Sequence, residues 1–117
     1  MSLDTGTPLI ANARAEGDAV IARLAGNLTI INAPELRTGL TRLIEEHAPT
    51  RLVLNFADIA YLDSTSLGVL IEAHKAIAGN SGRVVLTDLS PQIRGLIGIM
   101  KLDTVFVIAD TEADALA

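Results

Sequence analysis

Apolar positions in this chain alternate between short runs and helical stripes. Leu9 to Ala15 and Ala19 to Leu24 flank Glu16-Gly17-Asp18. That is the pattern of a β-hairpin with glycine at its turn, although alanine is a poor strand former. Gly26-Asn27-Leu28 interrupts the second run and leads into Thr29-Ile30-Ile31. Asn32-Ala33-Pro34-Glu35 predicts a helix start, with Asn32 able to cap, Pro34 tolerated in the first turn and Glu35 at the reciprocal capping-box position. Leu36, Leu40, Leu43, Ile44 and His47 follow at helical spacing until Pro49 stops the pattern.

Arg51 to Phe56, with Leu52-Val53-Leu54 at its heart, reads as a strand buried on both faces, and Ala57 to Leu62 as a connection. Leu67, Leu70, Ile71, Ile77 and Ala78 then form a helical stripe, with His74 between them and Gly79-Asn80 as its close. Gly82 to Thr87 is a second buried strand around Val84-Val85-Leu86. Ser90-Pro91 opens a helix with stripe Ile93, Leu96, Ile97 and Met100, weakened by Gly95 and Gly98. Val105 to Ile108 is the last strand, and Asp110-Thr111-Glu112 opens a short C-terminal helix, residues 110–117, expected to fray. Residues 1–7 are polar and read as a flexible tail. A hairpin followed by three helix–strand pairs predicts an α/β fold: one domain over residues 1–117, with a mixed, largely parallel β-sheet covered by helices and the N-terminal hairpin as an antiparallel edge.

Composition narrows the function. Half the residues are hydrophobic and only 3% aromatic, so the core must be aliphatic and alanine-rich. No apolar run approaches the ~18 residues of a membrane helix, and the first residues lack the pattern of a signal peptide. With no cysteine there is neither a disulfide framework nor a catalytic thiolate. A soluble, cytoplasmic protein that does not span a membrane is expected. Net charge is −5, and the nine basic residues are scattered singly from Arg14 to Lys101. Direct nucleic-acid binding wants a basic stripe, and none is visible.

The candidate chemistry lies at Asp63-Ser64-Thr65-Ser66-Leu67-Gly68, where three hydroxyls crowd a helix N-terminus and Asp63 or Ser64 can cap. Gly68 inside the first turns costs about 1 kcal/mol against alanine, which suggests close approach by something else. Catalysis is not supported. His74 lies ten residues beyond Ser64 on one helix, ~15 Å along its axis. His47 sits on an apolar stripe and reads as a helix-end cap or core-edge residue. Asp63, adjacent to Ser64, cannot relay a proton as a positioned imidazole does. The carboxylates are dispersed, no histidine pair has ligand spacing, and Gly95-Leu96-Ile97-Gly98 lacks the lysine of a phosphate loop. No enzyme, metal site or cofactor is expected.

The stretch Asp63-Ser64-Thr65-Ser66-Leu67-Gly68-Val69-Leu70 resembles the signature of the anti-sigma-factor antagonists of the STAS domain family. There a strand leads through Asp-Ser-(Ser/Thr)-Gly-Leu-Gly into a helix. The likeness covers nearly the whole chain: Gly26-Asn27-Leu28, Asn32-Ala33-Pro34-Glu35-Leu36, Leu52-Val53-Leu54-Asn55 with Ile59 and Leu62, Leu89-Ser90-Pro91, and Leu102-Asp103 to Val107. The resemblance implies a phosphorylation-switched interaction module. Ser64, with Thr65 as the rival hydroxyl, would be phosphorylated by a partner that is both anti-sigma factor and serine kinase. The unphosphorylated form would bind that partner and release the sigma factor, and a serine phosphatase would restore it. Asp63, Ser64, Thr65, Ser66, Leu67 and Gly68, with Asn27 and Thr29, are the implied partner-binding residues, in an interface to which Leu62 also contributes. Three positions depart from the family pattern. Ser66 replaces a glycine, expected to add a side chain to the partner-facing surface, and Asn27 and Thr29 stand where acidic residues engage the kinase. The alternative reading is a structural STAS subunit of a signalling complex or of a transporter ATPase. A third is nucleotide or small-molecule binding at the helix end near Ser64.

Overall fold

The computed structural model describes residues 2–117. Strands β1 (Ile10–Glu16) and β2 (Ala19–Leu28) form the antiparallel hairpin. Gly17, at φ 59°, makes its turn. The chain continues through α1 (Ala33–His47), β3 (Arg51–Leu62), α2 (Ser64–Ala78), β4 (Arg83–Thr87), α3 (Pro91–Ile99), a 3-10 turn (Leu102–Thr104), β5 (Val107–Ala109) and α4 (Glu112–Leu116). The sheet runs in the order β1-β2-β3-β4-β5, and every pair after the hairpin is parallel. This is the α/β architecture that the alternation predicts.

Each parallel crossover steps one strand along in the same direction. Crossovers of one hand then place α1, α2 and α3 on the same face of the sheet. Their Leu36, Leu40, Leu43, Leu67, Leu70, Ile77, Ile93 and Ile97 pack there with Ala22, Leu52, Leu54, Phe56, Val84 and Leu86. At about 25 cal/mol per Å², each of these side chains larger than alanine contributes roughly 1.5–3 kcal/mol. The opposite face holds Ala19, Ile21, Val53 and Val85 under Ala115 of α4. The central strands are therefore buried on both faces, which is why their sequences are continuous apolar runs.

Several expectations are corrected. Residues Ala57–Leu62 are not a connection but the second half of β3, and β2 likewise continues through Gly26-Asn27-Leu28, paired with Ile59, Tyr61 and Leu62. Two β-bulges hid this. Asn55 to Asp58 lies opposite Arg23 to Ala25, and Ile59 to Tyr61 opposite Gly26 to Asn27, so β3 carries one extra residue each time. The alternation of a strand is lost. Phe56, Ile59 and Leu62 point inward at a spacing of three, leaving Ala57, Asp58, Ala60 and Tyr61 exposed.

Within the expected tail Leu3 and Thr7 pack rather than hang free, and Met1 lies outside the described residues. The Leu3 N–H donates to the Ala13 carbonyl at 2.7 Å. Buried Thr7 donates its hydroxyl to Glu35 Oε1 at 2.6 Å. Glu35 is thereby diverted, and no capping box forms: the Asn32 side chain makes no cap bond to α1. At the end of α2, Gly79 remains right-handed, and Ser81 adopts the left-handed conformation at φ 61°. Strand β5 starts two residues later than expected because the 3-10 turn precedes it. Helix α4, expected to fray, is tied at both ends: Thr111 Oγ1 accepts from the Asp114 N–H at 3.1 Å, and Arg51 Nη1 donates to the Ala115 carbonyl at 3.2 Å.

Candidate functional site

The carboxyl ends of β2 and β3 run side by side to Leu28 and Leu62, and the next residues of each form the site. Asp63 leaves β3 in extended conformation and caps α2, its Oδ1 accepting from the Ser66 N–H at 2.9 Å. Its Oδ2 accepts from the Ile30 N–H at 2.8 Å, and its own N–H donates to the Leu28 carbonyl at 3.1 Å. One carboxylate thus ties the head of α2 to the loop after β2. The Ser66 N–H chiefly holds the Asp63 carboxyl below the usual carboxylate range; desolvation opposes this, and the Ile30 N–H adds to it.

The loop is braced from within. The Thr29 N–H donates to Asn32 Oδ1 at 2.8 Å, Asn32 Nδ2 donates to the Asn27 carbonyl at 2.7 Å, and the Ile31 N–H donates to Thr29 Oγ1 at 3.2 Å. Asn32, expected to cap α1, instead closes this loop. The brace presents Ile30 and Ile31 to solvent, 66% and 89% exposed, and Tyr61 on β3 is 55% exposed. Sequence reasoning did not single out these three. The signal was an Ile-Ile pair between a strand end and a helix-start motif, where no core position exists to receive it.

Ser64 and Thr65 are exposed in the first turn of α2, and Asn27 lies exposed opposite Tyr61. Ser66 is not on the surface: its side chain is fully buried and its hydroxyl has no hydrogen-bond partner. Side chains of Leu62 and Leu67 also point into the core and offer no surface to a partner, while Ile30, Ile31 and Tyr61 are the apolar side chains left exposed on the loop after β2 and at the end of β3. The geometry is that of a cap. Its aspartate points back along α2, Ser64 and Thr65 face outward, and the next two residues turn in to anchor the helix. Gly68 is half-buried, and a Cβ built there meets nothing within 4 Å. Its glycine is not required by packing inside this chain.

His74 lies toward the far end of unbroken α2, stacked edge-on against Phe106 with ring centroids 6.0 Å apart. It does not approach Ser64. His47 ends α1, its Nε2 3.9 Å from a Glu46 oxygen. Among the described residues no three His, Cys, Asp or Glu side chains converge to hold a metal ion, and no helix is long and apolar enough to cross a membrane.

A strand-to-helix junction with an aspartate cap and outward hydroxyls, on a mixed five-stranded sheet, defines a class of interaction domain. The STAS domain model matches residues 11–115, and the chain belongs to that family. It is 34% identical over 86 residues to the anti-sigma-B factor antagonist of Bacillus subtilis (strain 168), covering 74% of this chain and 77% of that protein. It is 27% identical over 97 residues to the anti-sigma F factor antagonist of Paenibacillus polymyxa, covering 83% of each. Among solved structures, the anti-sigma factor antagonist SpoIIAA in its unphosphorylated form superposes with a TM-score of 0.69 at 23% identity, over 88% of this chain and 90% of that one. The phosphorylated form of SpoIIAA, a Bacillus cell fate determinant, gives 0.68 at 24% identity, over 89% and 94%. At that identity the likeness is one of fold.

Proposed function

We infer that this protein is an anti-sigma-factor antagonist that binds its anti-sigma factor through the head of α2 and the Asn27–Ile31 loop, with Ser64 as the phosphate acceptor. The carrying observation is the position of Ser64: exposed, and directly after the capping aspartate whose carboxylate also holds the loop of the exposed Ile30 and Ile31. Apolar side chains held out by a braced loop suit a protein partner. In this reading the anti-sigma factor is also the serine kinase, and a serine phosphatase resets the switch.

Phosphorylation adds about −1.5 to −2 charge. At the head of α2 the phosphate meets helix N–H groups that favour it and the Asp63 carboxylate that repels it, so the fold is retained. Among the described residues no Lys or Arg pairs with Asp63, and Arg23 is already engaged by Asp58 at 2.7 Å. The new charge therefore meets the partner with only helix N–H groups to offset it. A desolvated, unpaired charge in an interface costs several kcal/mol, enough to weaken binding by roughly 10²-fold or more. In binding assays with the cognate anti-sigma factor, Ser64→Ala retains the partner and Ser64→Asp loses it, both remaining folded. Equal binding by the two variants would refute the charge switch. Mass spectrometry after incubation with the kinase and ATP separates Ser64 from Thr65.

A further inference from the structure

On the face of the sheet away from α1, α2 and α3, a chain of hydrogen bonds links the C-terminal helix to the strand that carries the site. Glu112, the first residue of α4, accepts from Arg14 Nη2 through Oε1 at 2.9 Å and from Asn55 Nδ2 through Oε2 at 2.6 Å. Asn55 is only 7% exposed, and its other amide atom is also used: Oδ1 accepts from the Ala57 N–H at 2.8 Å. Ala57 lies within the first bulge of β3, where the register with β2 jumps from Arg23↔Asn55 to Ala25↔Asp58. An extra residue interrupts the ladder there, and the Asn55 side chain supplies the acceptor for its N–H.

This bulge matters to the site because it sets which residues face outward. It begins the three-residue inward spacing of Phe56, Ile59 and Leu62, which the second bulge, between Ile59 and Tyr61, continues; together they leave Tyr61 on the surface and deliver Asp63 at the head of α2. The Arg23–Asp58 pair at 2.7 Å braces the same turn from the solvent side. Only one of the Asn55 amide atoms is satisfied by a local contact. Its acceptor serves β3 and its donor needs α4.

The geometry points to Asn55 as a positioning residue for the Ser64 site, held in turn by Glu112, so that docking of α4 on one face of the sheet fixes the Tyr61–Asp63 presentation at its end. This is independent of whether Ser64 is a phosphate acceptor: it concerns the shape of the surface, through residues that do not themselves contribute to it. It also gives the short α4 a role beyond covering Val53 and Val85.

Backbone amide hydrogen exchange by NMR on the full chain tests it without any partner. The informative amides are Ala57, held by Asn55, and Ile30 and Ser66, both held by Asp63. Glu112→Ala and Asn55→Ala each speed exchange at all three by roughly three- to tenfold, the range set by one net hydrogen bond, with Val53 and Leu86 less affected. Glu112→Gln keeps an acceptor for Asn55 and returns the three amides to within about twofold of the parent. A single common factor at all five amides would mark general destabilisation and overturn the proposal. So would parent-like exchange at Ile30 and Ser66, whether or not Ala57 changes. Should Asn55→Ala fail to fold, the two Glu112 variants still decide.

Discussion

Gly68 offers a perturbation in which stability and binding move in opposite directions. It is the fifth residue of α2, in the helical interior, where glycine has no turn to make. Its backbone is not in the left-handed region, and a Cβ built on it meets no atom within 4 Å. Gly68→Ala therefore gains helix propensity and reduces the entropy of the unfolded chain without a clash. The expected stabilisation is about 0.8–1 kcal/mol. For a domain of this size that raises the melting midpoint by roughly 4 °C. Gly82 is the control, since its added Cβ would lie 2.5 Å from Ile77 Cγ1, 2.9 Å from the Ile77 carbonyl oxygen and 3.0 Å from that of Thr50. Two of those atoms are backbone, so Gly82→Ala destabilises by roughly 1–3 kcal/mol. Urea unfolding with the midpoint and slope both measured reads the two effects. If the open space over Gly68 is where the partner's surface passes, the more stable variant binds the anti-sigma factor more weakly. A Gly68→Ala protein no more stable than its parent would show the helix strained there and refute the reasoning. Stabilisation with unchanged binding would remove Gly68 from the interface.

Three further outcomes are expected. Ser66→Ala stabilises the fold by roughly 1 kcal/mol, because it removes a buried hydroxyl without a partner and improves helix propensity, as urea unfolding would show. Ile31→Asp leaves stability within about 0.5 kcal/mol, since the side chain is 89% exposed, but lowers affinity for the anti-sigma factor in a titration. Glu112 is held below the usual glutamate range chiefly by the Asn55 amide, then by Arg14, with desolvation opposing. A depressed pKa means that its contribution is fully present above the ordinary value of 4.5 and is lost as pH falls through the folded one. Unfolding followed from neutral pH into the acid range therefore loses less stability in Glu112→Gln than in the parent, and an identical acid limb would contradict the ion pairing.

The helices and the inner strand segments were legible because each carries one unbroken signal. Leu36, Leu40 and Leu43 keep helical spacing, and Leu52-Val53-Leu54 and Val84-Val85-Leu86 are apolar throughout because α4 and the three larger helices cover both sides of them. The outer half of β3 was not legible, for a specific reason. Two bulges convert a period of two into Phe56, Ile59 and Leu62 at a period of three, which matches neither strand nor helix over so short a span. Local cap chemistry misled where a distant group competed. Thr7 takes the Glu35 carboxylate from across the sequence, and the Asn32 amide closes its own loop rather than α1.

The site divides the same way, and the division bears on how it works. Asp63 was recognisable as a cap because its first bond is to Ser66, three residues on; its second, to Ile30, comes from the loop after another strand and is visible only in the fold. That second bond is what makes Ser64 part of a surface rather than the start of a helix, for it fixes Ile30 and Ile31 beside it. Ser66 then loses the surface role expected of it. The helical turn that exposes Ser64 and Thr65 must bury Ser66 and Leu67, so a serine in the family's glycine position alters the core beneath the site and not the face a partner meets. Under the proposed function, differences in partner choice are to be sought instead at Asn27, Ile30, Ile31 and Tyr61, whose side chains leave the core while their backbone stays in the β2–β3 ribbon or the loop that Asp63 holds.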